Sequence, residues 1–160
     1  MKYLIISDTH SSTYYLNKVL EKVGHIDGLF HMGDFDGLQE SIKETVDCDT
    51  YMVRGNNDFF SNLERELLVE LGPYRIFMTH GHKYGVNYGL DRIVRVGQEM
   101  AANIVMFGHT HRPLITEQDG IYIINPGSIS QPRQDGHIPT YIIMETDRFG
   151  VVHFTLNYVN

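Results

Sequence analysis

The sequence predicts an α/β fold: a first half of βα units with parallel strands, then a mostly antiparallel half, the two packed as sheets. Short β-branched runs alternate with segments of helical period as far as Phe107. Beyond it a hairpin signal and a clean two-residue alternation take over. Five of the early runs also end in residues able to bind a metal, which is where open α/β sheets place their ligands.

Tyr3-Leu4-Ile5-Ile6 is almost wholly apolar and reads as a strand covered on both faces. Leu16, Val19, Leu20 and Val23 then repeat at helical spacing, with Ser11, Ser12 or Thr13 as N-cap and Gly24 as the stop. Gly28 to Met32 and Thr50 to Val53 are further short strands, separated by a weaker helix marked by Leu38, Ile42 and Val46. Arg65 to Leu71 and Tyr74 to Met78 flank the turn Gly72-Pro73. Leu90, Ile93, Val94 and Gly97 mark a helix, and Ile104 to Phe107 the next strand. Asp119-Gly120 carries a type I′ signal between Leu114–Gln118 and Ile121–Ile124. Two more strands follow at Tyr141–Glu145 and Val151–Val159, the second with Val152, Phe154, Leu156 and Tyr158 on one face.

The 160 residues suit one domain, 1–160, able to bury roughly two thirds of the surface exposed by the unfolded chain. With 13 Lys+Arg against 20 Asp+Glu the formal charge is -7, which argues against a general nucleic-acid or anionic-membrane surface. The single Cys48 excludes an internal disulfide and reads as a half-buried thiol near a strand start. Nothing resembles a cleaved leader, and no apolar run approaches the ~20 residues of a membrane span, so the cytoplasm is the default expectation. Homo-oligomerisation is left open.

The five clusters are Asp8-Thr9-His10, Gly33-Asp34, Gly55-Asn56-Asn57-Asp58, Thr79-His80-Gly81-His82 and Gly108-His109-Thr110-His111. If the last continues its strand, alternation points His109 and His111 the same way. Asp8, His10, Asp34, Asn56, His80, His109 and His111 supply carboxylate, imidazole and one amide oxygen, without thiolate. That set is too large for one tetrahedral ion and suits two. Mixed oxygen and nitrogen ligation favours Mn²⁺, Fe²⁺, Co²⁺, Ni²⁺ or Zn²⁺ over Ca²⁺ or Mg²⁺. Two such ions about 3.5 to 4 Å apart acidify a shared water and clamp both oxygens of an in-line displacement, the chemistry of phosphate esters. Taken singly, Asp8 and Asp34 also read as helix N-caps, and Asn56 as a turn residue.

In that order the clusters resemble the motifs of the calcineurin-like metallophosphoesterases. The short length and Asn125-Pro126-Gly127-Ser128 resemble the small YfcE-type phosphodiesterase branch. The resemblance covers nearly the whole chain. It implies a four-layer α/β/β/α sandwich of two mixed sheets with a dinuclear centre, manganese being the first expectation for the metal. Asp8, His10, Asp34 and His111 would hold one ion, and Asp34, Asn56, His80 and His109 the other, with Asp34 as the bridge. The implied activity is hydrolysis of a small-molecule or nucleotide-like phosphate ester, a diester before a monoester, by a hydroxide shared between the ions.

Many relatives carry a His directly after the ligand Asn as a general acid or phosphate contact, and here that position is Asn57. Asp58 is expected to orient a ligand. His82 is either a substrate contact or a solvated loop residue, and Arg133 either binds a phosphate oxygen or is solvated. His25, His31, His137 and His153 read as structural or surface residues. The rival class is a protein-interaction scaffold, because the retromer sorting subunit resembles the same branch. Its metal motifs are eroded, whereas all seven positions are kept here, which favours the enzyme.

Overall fold

The computed structural model describes residues 1–160. The chain runs β1 (Lys2–Ile6), α1 (Tyr14–Val23), β2 (Gly28–His31), α2 (Gln39–Thr45), β3 (Asp49–Met52), β4 (Glu66–Leu71), β5 (Tyr74–Thr79), a single 3₁₀ turn (His82–Tyr84), α3 (Asp91–Glu99), β6 (Ile104–Met106), β7 (Pro113–Gln118), β8 (Ile121–Pro126), β9 (Thr140–Thr146) and β10 (Val152–Tyr158). Two five-stranded sheets result, ordered β10-β9-β1-β2-β3 and β4-β5-β6-β8-β7.

The expected division into a parallel half and an antiparallel half is corrected. β1, β2 and β3 are parallel, but β9 returns antiparallel to β1, in the register Tyr3↔Met144 and Ile5↔Ile142, and brings β10 with it. The second sheet is mixed as well, because β5, β6 and β8 are parallel between two antiparallel edge strands. The reason lies at the free edge of β1. A strand buried on both faces and open along one side would leave its backbone groups unpaired. The near-continuous apolar run Tyr141–Met144 supplies the missing neighbour and is itself fully buried.

Three apolar layers hold the sandwich together. Ile5, Phe30, Met32, Ile76, Met78, Met106, Ile124 and Ile142 pack between the sheets. Leu4, Ile6, Leu29 and Ile143 meet Leu16, Val19 and Ile42 of the two helices on the outer face of the first sheet. Phe77, Val105 and Ile123 meet Ile93 and Val94 of α3 on the outer face of the second. Four layers follow, α/β/β/α, as the resemblance implies.

Local expectations hold where turn chemistry dictates them. Asp119 and Gly120 take φ of 53° and 76°, as a type I′ turn requires. Gly24 closes α1 by donating its N–H to Leu20. Along β10 the alternation lasts through Leu156 and then breaks: Tyr158 is exposed and Val159 buried. No helix is long and apolar enough to cross a membrane.

Candidate metal centre

β1, β2, β3, β5 and β6 deliver their following loops to one end of the sandwich, and these loops carry all five clusters. Neither aspartate caps a helix, since α1 starts after Thr13 and α2 after Leu38. Backbone strain concentrates here. Of nine non-glycine residues with positive φ, five are candidate ligands: Asp8, His10, Asp34, His109 and His111. Such conformations are uncommon outside glycine and persist only where surrounding contacts enforce them. The expected extended run at His109 and His111 is thereby corrected. β6 ends at Met106, both histidines are left-handed with φ of 66° and 57°, and their rings diverge. His111 lies near His10 with ring centroids 5.2 Å apart, whereas the His109 ring centroid lies 5.1 Å from that of His80.

Two groups of ligating atoms converge, Asp8 with His10 and His111, and Asp8 with Asp34 and His80. The hydrogen bonds fix which imidazole nitrogens are bare. His111 Nδ1 donates to the Gln131 carbonyl at 2.6 Å, His80 Nδ1 to the Met32 carbonyl at 2.7 Å, and His10 Nδ1 to the Asp36 carboxylate at 3.0 Å. In the tautomer these bonds select, Nε2 is the nitrogen each ring can offer to a metal. His111 Nε2 faces Asp8 Oδ1 at 3.1 Å and His10 Nε2 at 3.4 Å. His80 Nε2 faces Asp34 Oδ2 at 3.4 Å and Asp8 Oδ1 at 3.9 Å. Asp8 Oδ1 and His80 Nε2 are both buried without a hydrogen-bond partner. Lone pairs so close, taken out of water, call for a positive charge between them. The residues fit a metal.

Electrostatics point the same way. Burial alone would raise the Asp8 carboxyl, but the imidazoles of His111 and His80 outweigh it and hold it below its ordinary value. Asp34 behaves likewise: His80 and the Asn57 N–H overcome burial and hold it well below the usual carboxylate range. His80 is raised despite its burial, through Asp34 and Asp8, so a proton on Nε2 can stand where a cation would. His109 and His82 are lowered, first by burial and then by the charge on His80.

The loops are braced by groups other than the candidate ligand side chains. Asp58 is buried and accepts from the backbone N–H groups of Asp34, Phe35, Asp36 and Gly55 at 2.7, 2.9, 3.0 and 2.7 Å. It therefore orients the Asp34 loop, through backbone amides and not through a histidine. Asn57 holds the Asp34 side chain from both donors, backbone N to Oδ1 at 2.9 Å and Nδ2 to Oδ2 at 2.7 Å. Ser7 Oγ and the His109 N–H both donate to Asp8 Oδ2. Asn125 donates to the Gly108 carbonyl at 2.9 Å and to Thr110 Oγ1 at 3.0 Å, and Ser128 and Ser130 donate to the Asp8 carbonyl. Asn125-Pro126-Gly127-Ser128 is thus a clamp between two ligand loops, its glycine in a turn at φ 74°. Two motif glycines are needed for close approach: a Cβ at Gly55 would overlap Asp34 Oδ1, and one at Gly108 would overlap Ser7 Oγ.

Asp8, His10, Asp34, His80 and His111 are brought together, and His109 joins them through its ring contact with His80. Asn56 is exposed at the rim beside Gly55. His82 is no solvated loop residue. Its half-buried ring lies 5.5 Å from that of His80 and 6.0 Å from that of His109, and its Nδ1 is buried without a partner. Arg133 donates its backbone N–H to the His111 carbonyl, and its exposed side chain shares a cavity of about 520 Å³ with Arg112 and Thr110. His31 is structural as read. Its Nδ1 accepts from the Gly33 N–H, its Nε2–H donates to Thr9 Oγ1, and burial pushes it down to about 4. Sequence reading missed Asp36 and Gln131, which fix His10 and His111. Asp36 lies two residues past Asp34 and offers a weak signal; a backbone carbonyl such as that of Gln131 offers none.

The chain belongs to the calcineurin-like phosphoesterase superfamily, whose domain model matches residues 1–148. A probable metallophosphoesterase of Bacillus subtilis, YsnB, is 33% identical over 135 residues, covering 83% of this chain and 78% of that one. The Escherichia coli phosphodiesterase YfcE is 26% identical over 178 residues, covering 95% of this chain and 91% of its own. Its structure superposes with a TM-score of 0.69 over 100% of both chains. Vps29 of Entamoeba histolytica, solved with zinc, superposes with a TM-score of 0.79 over 100% of both chains at 21% identity, a likeness of fold alone. The protein is of the metal-dependent phosphoesterase class, and it is similar to YfcE over nearly its whole length.

Proposed function

We propose that this centre holds two divalent transition-metal ions, Mn²⁺ first among them, and hydrolyses phosphodiesters. Asp8, His10, Asp34 and His111 would hold one ion, and Asp34, Asn56, His80 and His109 the other. One observation carries the reading: Asp8 Oδ1 and His80 Nε2 are buried, bare and aimed at the same space. Bound there, the ions would acidify a water and offset the charge of the phosphate. Arg133 would take a phosphate oxygen by a charge-assisted hydrogen bond, and His82, beside His80 and His109, would contact the substrate. Phosphodiesterase specificity is supported by relatives that bear that name.

Metal content and ester hydrolysis test this together, on freshly purified protein and on Asp34→Ala and Asp8→Ala. Two ions per chain and diester turnover are expected in the parent. Asp34→Ala should lose both ions and all measurable turnover, because a bridging carboxylate serves each, whereas Asp8→Ala should retain one. The reverse pattern would move the bridge to Asp8, which both converging groups share. A chain that hydrolysed no ester with any metal would instead be a scaffold of the Vps29 kind.

A further inference from the structure

Beside the centre a cavity of about 680 Å³ opens between the start of α2 and residues 57–62. Two of its lining residues tie it to the ligands: Asn57 holds Asp34, and Asp36 holds His10. Phe59 and Phe60 form its outer wall and are 77% and 103% exposed. Two consecutive phenylalanines left in water, three and four residues past the candidate ligand Asn56, bury little for the fold. Exposed aromatic surface of this kind marks a binding site. The cavity's own lining is acidic: Asp36 and Glu40 line it and no Lys, Arg or His does, the nearest cation being Lys43, which pairs with Glu40 Oε1 at 3.3 Å from outside the lining. Arg112 and Arg133 line the separate cavity with Thr110.

Resting on the phosphoesterase reading, we propose that this cavity seats the organic arm of the substrate and selects a flat aromatic group bearing N–H donors over one bearing a second anionic group. A planar ring fits against Phe59 and Phe60, amino substituents reach the carboxylates of Asp36 and Glu40, and a further phosphate or carboxylate is repelled by both. The substrate class is a phosphate ester of an amino-substituted aromatic or heteroaromatic arm, without additional phosphates on that arm.

Non-hydrolysable phosphonates test this by calorimetry on the metal-loaded protein, free of any difference in leaving-group reactivity. Phenylphosphonate is expected to bind about tenfold tighter than methylphosphonate, the size of a single stacking contact. 4-Aminophenylphosphonate should bind tighter still, and 4-carboxyphenylphosphonate several-fold weaker than phenylphosphonate. The aryl-to-methyl ratio should fall towards one in Phe59→Ala/Phe60→Ala and recover in part in Phe60→Tyr on the Phe59→Ala background. Glu40→Gln should remove much of the penalty on the carboxylate. Since Phe59, Phe60 and Glu40 are exposed, these variants keep the fold. An aryl preference that survived the double alanine variant, or a carboxyaryl ligand bound as well as its amino counterpart, would overturn the proposal. Esters cleaved without any aryl preference sink this inference alone. A protein that bound no phosphonate and cleaved no ester would sink the phosphoesterase reading with it.

Discussion

The floor of the centre and its rim are built on opposite plans. On the floor, Asp8, Asp34, His80 and His111 are buried, and each is held by at least one hydrogen bond from or to a group outside the ligand set. On the rim, Asn56, Asn57, Phe59, Phe60, Arg112 and Arg133 are exposed. The difference separates two tasks. Ligand geometry has to be preserved against strained backbone and buried charge, which takes redundant bracing. Substrate choice needs surface that water can reach and that ordinary substitution can alter without unfolding the domain. The comparison predicts that floor substitutions alter stability and metal content together, while substitutions at Phe59, Phe60, Arg112 and Arg133, which touch no floor carboxylate, alter kinetics alone.

The largest effect is expected at Asp58, which joins the two regions. Asp58→Ala strips the acceptor from four backbone N–H groups around Asp34, and buried amides left unpaired cost about 1–3 kcal/mol each, less where water can enter. A loss of about 3 to 5 kcal/mol is expected, a fall in melting temperature of roughly 6 to 20 °C for a domain of this size. Metal content should fall in parallel. Asp58→Asn keeps one acceptor oxygen and should lie between the two. Thermal unfolding and metal analysis on the same samples check this, and an Asp58→Ala protein of parental stability would remove the distinction drawn above.

Next comes Asn57, a rim residue bound to a floor carboxylate. An amide cannot release a proton at neutral pH, whereas a positioned acid adds about 10² to 10⁴ in rate, most for poor leaving groups. Asn57→His is expected to raise kcat/KM for alkyl esters more than for aryl esters at saturating metal, flattening the dependence on leaving-group pKa. It should also weaken metal retention, because the amide contact to Asp34 Oδ2 is lost. A dependence already shallow in the parent and unchanged in the variant would assign the proton to His82.

The smallest effect is expected at Arg133. Its exposed guanidinium pairs with no carboxylate, so Arg133→Gln should leave the melting temperature within about 1 °C and raise KM several-fold with little change in kcat. A loss in kcat with KM unchanged would place Arg133 on the transition state alone.

The residue string already determined the element types, the turn at Asp119-Gly120, the strand ends as the place of the chemistry and the donor set itself. These are local or compositional properties, set by hydrophobic period, turn preference and side-chain type. It could not pair β9 with β1, because strand pairing across the chain depends on which buried edge would otherwise go unsatisfied. Nor could it divide His109 from His111. Alternation along an extended chain sends both one way, whereas the close approach of Gly108 to Ser7, the clamp from Asn125 and the bonds of His109 to Asp8 and of His111 to Gln131 accompany the left-handed turn that sends them to different neighbours. Asp58 and Asn57 were legible as polar residues near a ligand, but a carboxylate that collects four amides and an amide that grips a carboxylate are facts of three-dimensional approach. The sequence by itself named the atoms able to hold a metal. The tertiary structure decided which of their lone pairs face one another, because hydrogen bonds to carbonyls and carboxylates from distant loops select the bare nitrogen of each ring.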